Sequence, residues 1–201
     1  MTLPWAPGRI VRETTRLRLR EFTEQDAAFI LELVNEPAWL RFIGDRNVHS
    51  LADAQGYIAR GPVASYAKHG FGLWAVDLRA SGESLGMCGL IRRESLPHAD
   101  LGFAFLARHR GHGYAREAAA AAVALAREAF HLPRLLAITD PDNTASRGAR
   151  ARGLRLRARV HVVRDRQAAG ALHDGPRVRP AAGPGVAFVT TTRPRWHWDI
   201  A

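Results

Sequence analysis

The order of apolar patterns along the chain predicts a mixed α+β domain, with helices packed on a central mixed sheet. Stretches of alternating polar and apolar residues, and short apolar runs bounded by glycine or proline, indicate strands. Stretches with helical spacing of apolar residues lie between them. In chain order the patterns give one strand, two helices, three strands, one long helix and a further strand. At 201 residues the chain is long enough to bury a substantial core.

The first part of the chain reads as a strand followed by two helices. Residues 16–20 alternate arginine with leucine, which is typical of a half-buried strand. Thr23 and Asp26 have the spacing of a capping box and predict a helix start. Pro37 ends this helix, because the residue before a proline disfavours helical geometry. A second helix is predicted over residues 50–60, beginning at a serine.

The middle of the chain predicts a hairpin and a third strand. Residues 72–78 and 85–91 are apolar runs joined by a turn at 80–83. A third strand is predicted at 100–106, and a glycine-rich loop follows it.

A long alanine-rich helix is predicted after this loop, at residues 115–130. The short apolar run at 135–139 lies between Pro133 and Pro141, which suits a buried strand.

Positive charge is concentrated near the end of the sequence. The formal net charge is +10, and residues 148–201 account for +8 of it. All but one of the 29 cationic residues are arginine. Such a balance is typical of a protein with a nucleic-acid partner or an acidic ligand, or of an arginine-rich compositional bias.

Cysteine use and hydropathy favour a cytoplasmic protein. Cys88 is the single cysteine, so an intramolecular disulfide is excluded. No apolar run approaches the roughly 18 residues that a membrane helix needs, and the first residues do not resemble a signal peptide. We therefore expect a cytoplasmic protein with no membrane partner.

The loop after the third strand is the most informative segment. It reads Arg110-Gly111-His112-Gly113-Tyr114-Ala115 and opens the long helix. Glycines allow a tight turn and close backbone approach to a ligand. The first N–H groups of a helix have no internal partner, and with the helix dipole they favour a bound anion. The segment predicts a phosphate or pyrophosphate site; the alternative is a sharp turn without a ligand.

Five segments resemble the GNAT acyltransferases. Arg110-x-x-Gly113-x-Ala115 resembles the family signature Arg/Gln-x-x-Gly-x-Gly/Ala. Four further segments resemble the RimJ/RimL-like branch, in the same order: residues 15–26, 35–45, 101–103 and 139–146. The resemblance covers about residues 12–147. It implies a mostly antiparallel GNAT-like sheet and acetyl-CoA-dependent acetylation of a primary amine, on a protein N-terminus or a small molecule. A homodimer is a further expectation.

The resemblance also implies roles for individual residues. The pyrophosphate of CoA would lie on the loop, and the pantetheine arm would run beside the third strand, where the sheet splays open. Asn143 would contact that arm, and Ser146 would approach the thioester sulfur. The cofactor-binding residues implied are Phe105, Leu106, Arg110, Gly111, His112, Gly113, Tyr114, Ala115 and Asn143, with Phe103 nearby.

Direct attack by an amine on a thioester needs a proton acceptor and a donor to the oxyanion. Asp100, at the start of the third strand, is the candidate base; the alternative is a solvated strand-end carboxylate. His98 is a second candidate base. A backbone N–H on the splayed strand would stabilise the oxyanion. Ser146 is either the proton donor to, or a hydrogen-bond partner of, the leaving sulfur, or it caps a helix; Asn143 could equally cap that helix.

Trp39 and Phe42 either line the acceptor groove or pack in the core. No metal is expected, because His109 and His112 have no third ligand in view and zinc needs three or four.

The C-terminal part departs from the family. We expect residues 10–147 to form the acetyl-CoA-binding body and 148–201 to be a divergent, arginine-rich part. No large apolar residue occurs between Arg147 and Leu154, where the family has an amphipathic helix. Runs at 160–163 and 186–191 could supply two more strands. The abrupt change suggests a divergent or frame-shifted ending. Two other functions stay open: a basic nucleic-acid-associated protein acting through this part, and a catalytically impaired CoA binder.

Overall fold

The computed structural model describes residues 8–139, residue 143, and the strand residues 160–161 and 185–190. They form one eight-stranded sheet in the order β1-β2-β3-β4-β5-β6-β8-β7. The pairs from β1 to β5 are antiparallel, whereas β6 pairs in parallel with β5 and β8, and β7 with β8. The mixed and mostly antiparallel sheet predicted from the sequence is confirmed. The strands are β1 (Ile10–Glu13), β2 (Leu17–Arg20), β3 (Leu73–Leu78), β4 (Ser84–Ile91), β5 (Asp100–Phe105), β6 (Arg134–Thr139), β7 (Val160–His161) and β8 (Gly185–Thr190).

The five α-helices of the described residues are α1 (Ala27–Val34), α2 (Pro37–Phe42), α3 (Leu51–Ile58), α4 (Ala64–His69) and α5 (Tyr114–Glu128). Short 3₁₀ turns at Glu24–Asp26 and Ala107–His109 precede α1 and α5, and a π-helical turn at Ala59–Val63 joins α3 to α4. Every element predicted up to residue 139 is present. Two runs predicted as candidate strands in the C-terminal part are also strands, with shorter or shifted bounds.

Three elements were not predicted. β1 was missed because its four residues carry no clear alternation. The aromatic-rich segment after Pro37 is a helix, with the proline in its first turn, where the missing N–H costs nothing. The helix predicted to end near residue 60 continues through the π-helical turn, which accommodates Pro62, and α4 ends at Gly70 with a φ of 74°.

The predicted capping box before α1 is present, and it belongs to a larger buried network. The Thr23 N–H donates to Asp26 Oδ2 at 2.8 Å. The Arg20 guanidinium donates to both oxygens of Asp26, and its Nε donates to Asp77 Oδ2 at 2.6 Å. The side chains of Arg20, Asp26 and Asp77 are at most 6% exposed. One buried cation therefore ties β2, the start of α1 and β3 together.

The sheet separates two apolar cores. On one face, the small residues of α5, such as Ala118 and Ala122, pack against Leu17, Trp74 and Leu101 of the strands. The other face carries the residues of α1, α2 and α3, which pack on Ala75, Met87 and Leu106. β5 is thus covered by α5 on one side and borders the α1–α3 layer on the other. In the part of the chain that the structure describes, no helix is both long and apolar enough to cross a membrane.

Candidate active site

The sheet opens between β5 and β6. β5 pairs with β4 through six consecutive residues, from Asp100 opposite Ile91 to Phe105 opposite Gly86. With β6 it pairs only at Asp100 opposite Leu136, through the Leu136 N–H and the Ala99 carbonyl at 2.8 Å. Beyond Asp100 the two parallel strands separate. The splayed strand that the resemblance implied is therefore present, and it is β5.

Hydrogen-bond alternation shows which backbone groups face this gap. In an antiparallel ladder every second residue exchanges its bonds with the neighbouring strand. The Leu106 N–H donates to the Leu85 carbonyl at 3.0 Å, which places Gly102 and Ala104 in the bonded positions toward β4. The backbone groups of Leu101, Phe103 and Phe105 therefore point toward the β6 side. Phe103 is half-buried and lies beyond the last residue paired with β6.

The glycine loop, residues 106–113, runs from the end of β5 to the start of α5. Gly111 and Gly113 have φ values of 83° and 80°, in the left-handed region that favours glycine. Gly113 is the N-cap residue that immediately precedes α5. The loop thus presents the first N–H groups of a 15-residue helix at the same end of β5 as the gap. This geometry is compatible with the anion site that the sequence predicted, which stays a prediction.

Glu36 holds the first half of the glycine loop. Its Oε1 accepts the Ala107 N–H at 2.8 Å, and its Oε2 accepts from Arg110 Nη2 at 2.7 Å. The same guanidinium donates through Nε and Nη2 to the Phe105 carbonyl at 3.0 and 2.9 Å. Arg110, one of the cofactor-binding residues that the resemblance implies, thus directs its Nε and Nη2 to the protein.

Arg16 holds the second half of the glycine loop. Its Nη1 donates to the His112 carbonyl at 3.0 Å, and its guanidinium lies 4.7 Å from the centre of the Tyr114 ring. Its Nε and backbone N–H both donate to Glu117, in the first turn of α5, which also accepts from Thr14. Burial acts to raise the pKa of Glu117, but the bonds from Thr14 and Arg16 hold it below its usual value. Glu117 therefore stays ionised and keeps Arg16 in place.

Asp100 lies at the closed end of the gap and is buried, with 2% of the residue exposed. Its carboxylate accepts from Arg93 Nε at 2.8 Å and from Arg93 Nη2 at 3.4 Å. Burial raises the pKa of Asp100 above its usual range, although Arg93 opposes this. The alternative of a solvated strand-end carboxylate does not fit this environment. His98 is half-buried, and burial, Arg134 and Arg92 lower its pKa.

Trp39 and Phe42 on α2 differ in exposure. Trp39 is 5% exposed and packs in the core that α1 and α3 form with Leu106. This placement fits the packing alternative. Phe42 is half-buried, with the Arg41 guanidinium 4.9 Å from its ring centre. It is the more accessible of the two predicted acceptor-side residues.

Of the two candidate site residues that follow β6, Asn143 and Ser146, the structure describes only one. Asn143 is half-buried. Ser146, the candidate proton donor, lies outside the described residues. Among the residues that the structure does describe, no group of three or more His, Cys, Asp or Glu side chains is arranged to hold a metal ion.

Sequence reasoning missed the side chains that shape the site. Glu36 lies 71 residues from Ala107, Arg16 lies 96 residues from His112, and no local pattern links them. The Arg93–Asp100 pair spans only seven residues across the β4–β5 connection. The opposite charges of Arg93 and Asp100, close together in sequence between two predicted strands, are the one signal that could have predicted this pair.

Comparisons with known proteins agree with this geometry. The model of the acetyltransferase (GNAT) domain family matches residues 16–152. The chain is 28% identical over 137 residues to YoaA of Bacillus subtilis, named an uncharacterized N-acetyltransferase, covering 68% of this chain and 77% of that protein.

Two solved structures share the fold. An acetyltransferase of Agrobacterium tumefaciens has a TM-score of 0.60 and 27% identity, over 74% of this chain and 84% of the other. Mycobacterium smegmatis RimJ, solved with CoA-disulfide, has a TM-score of 0.55 and 23% identity, over 72% and 71%.

The splayed sheet, the glycine loop and the family match define one class of enzyme. The chain belongs to the GNAT acetyltransferase family. It is an N-acetyltransferase, and its structural neighbours include acetyltransferases of the RimJ and RimL type.

Proposed function

We propose that the protein transfers the acetyl group of acetyl-CoA to a primary amine, on a protein N-terminus or on a small molecule, without a covalent enzyme intermediate. The observation that carries the proposal is the separation of β5 from β6 after Asp100, next to the glycine loop. The gap leaves backbone donors and acceptors of β5 available for an extended ligand, and the loop supplies an anion site where that ligand would end.

The pantetheine arm of CoA fits this gap because it contains two amides. One of its amide N–H groups can donate to the Phe103 carbonyl, as a neighbouring strand would. The pyrophosphate then lies at the N-terminus of α5, against residues 110–115. The RimJ structure that contains CoA-disulfide has the same fold, which supports this assignment. No metal is required for this chemistry.

In the reaction, the amine nitrogen attacks the thioester carbon, the C–S bond breaks, and the sulfur leaves as a thiolate. We assign the Phe103 N–H as the donor to the carbonyl oxygen when it becomes an oxyanion, because it faces the gap beyond the last pair with β6. Ser146 is the proposed proton donor to the thiolate. Its role depends on the family resemblance alone.

The amine must lose a proton, and Asp100 is the proposed acceptor. Its raised pKa makes it a stronger base than an ordinary aspartate, and it lies at the closed end of the gap. Arg93 binds both of its oxygens, so the amine has to reach the carboxylate beside Arg93 or through a water molecule. His98 is the second candidate, because its lowered pKa keeps it neutral near pH 7.

Two measurements test the proposal. Acetyl-CoA at about 100 times its dissociation constant should stabilise the folded protein by about 2.7 kcal/mol and raise the melting temperature by about 5 °C or more. A screen of N-terminal peptides and small amines, read out as acetyl-CoA-dependent thiol release, then identifies the acceptor class. A cooperative melt with no shift in acetyl-CoA would overturn the cofactor assignment.

A further inference from the structure

Glu36 occupies an unusual position for a glutamate at the start of a helix. It is the residue preceding Pro37, at which α2 begins, and its side chain is only 14% exposed. Its carboxylate makes no bond to the first N–H groups of α2. Instead its two oxygens accept, from the glycine loop, the Ala107 N–H and one guanidinium nitrogen of Arg110.

Arg110 extends this contact to β5. Because Nη2 donates both to Glu36 and to the Phe105 carbonyl, one guanidinium joins the carboxylate to the last residue of β5. The carbonyl of Phe105 faces the gap side of the strand. The end of β5, the first turn of the glycine loop and the start of α2 are thus linked by hydrogen bonds through two side chains.

α2 in turn packs with α1 and α3, on the face of the sheet opposite α5. Trp39 lies one turn after Glu36 and is buried in the same apolar core as Leu106, the first residue of the glycine loop. A shift of the loop relative to α2 would break the Glu36 contacts and disturb this packing together. Packed interiors resist such partial shifts, so the loop and α2 should move as one unit.

We propose that Glu36 is a positioning residue, which fixes the glycine loop in the shape that binds CoA and couples the loop to helix α2. The inference rests on the proposed binding of CoA at this loop. It assigns Glu36 no contact with the cofactor or the acceptor.

The first test compares two Glu→Gln variants by calorimetric titration with CoA. In Glu36→Gln one oxygen can still accept the Ala107 N–H, but the ion pair with Arg110 is lost, so the dissociation constant of CoA should rise about tenfold. The matched control is Glu32→Gln. Glu32 also pairs with an arginine of the loop, Arg108, but both side chains are 50% exposed, so its loss should leave the dissociation constant within about twofold.

A thermodynamic cycle with Arg110→Gln identifies the route. If Glu36 acts through Arg110, the double variant should bind CoA no more weakly than the weaker single variant. Additive losses would overturn that route.

The second test reads the coupling to α2 directly. Amide hydrogen exchange is measured on peptides covering residues 37–43, with and without CoA at a concentration that saturates each variant. CoA should slow exchange in α2 of the wild type and of Glu32→Gln. In Glu36→Gln it should slow exchange only in the loop and the first turn of α5.

The outcomes separate the two proposals. Absence of CoA binding to the wild type would overturn the proposed function. If the wild type binds CoA and Glu36→Gln binds it equally well, or transmits the same protection to α2, the coupling role of Glu36 is wrong while the cofactor site stands.

Discussion

The two edges of β5 are built differently. Toward β4 the strand is paired through six consecutive residues, including Cys88 opposite Phe103, inside a buried core. Toward β6 it is paired at one residue, and Gly102, Phe103 and Ala104 are only half-buried. The closed edge provides the rigid support, and the open edge leaves Phe103 without a β6 partner among the residues that the structure describes. A sheet can hold a site within itself when one edge of a strand is fully satisfied and the other is left incomplete.

Removing a buried charge from the paired part of the sheet should lower the stability of the fold most. Arg20→Met removes the cation that joins buried Asp26 and Asp77, and leaves two carboxylates without it in the core. We expect the free energy of unfolding to fall by about 3–5 kcal/mol, measured by urea denaturation.

The control for this variant is Arg18→Met on the same strand. Arg18 pairs with Glu13, and these side chains are 33% and 38% exposed, so the expected loss is below about 1 kcal/mol. Equal losses in the two variants would mean that burial does not increase the contribution of the Arg20 network to the free energy of unfolding.

Removing the backbone N–H of Phe103 at the open edge should lower kcat and leave the fold intact. Phe103→Pro removes the N–H that faces the gap, but no hydrogen bond to β4, since Phe103 lies in a non-bonded position of that ladder. We expect kcat to fall by about 10²- to 10³-fold with the best acceptor from the screen.

Phe103→Ala separates the N–H from the ring, because it keeps the backbone donor and removes the side chain. It should retain most of the wild-type kcat. If both variants turn over at the same rate, the Phe103 N–H plays no part in the reaction.

Asp100, the β5 residue that pairs with β6, should make the stability depend on pH. Because the pKa of Asp100 is raised in the folded state, the folded chain holds this proton more tightly than the unfolded chain does. Asp100 therefore favours folding most at low pH, and that contribution is lost as the pH rises through the folded pKa.

The difference in unfolding free energy between wild type and Asp100→Asn isolates this effect. Above about pH 4, the wild type should lose stability relative to the variant by at most about 1.4 kcal/mol per pH unit. A difference that does not change between pH 4 and 7 would show that Asp100 is not perturbed.

The smallest expected effect is on the reactivity of Cys88, which lies on β4 at the closed edge of β5. It is fully buried, and burial raises the pKa of its thiol, so it should not react with Ellman's reagent in the native protein. Guanidinium should release one reactive thiol per chain, since the sequence contains one cysteine. Rapid labelling of the native protein would show that the β4–β5 side opens readily.

The elements of the body and the glycine loop were predictable because their signals are local. Alternation, capping residues and glycines act on their own stretch of chain, as at Thr23, Ser50 and Gly113. The position of α2 was not predicted, because its proline fits both the end of one helix and the first turn of the next. Trp39 was left open between groove and core, since an aromatic residue suits both environments.

By itself the sequence determined the order of the elements, the glycine loop and the family resemblance, because each depends on residues close together in the chain. Only the tertiary structure decided where β5 loses its partner, which side chains hold the loop, and that Arg110 bonds to Phe105 and Glu36. These features arise from contacts between segments that are distant in sequence. Their geometry is set by how the helices pack on the sheet, which no single stretch of chain encodes.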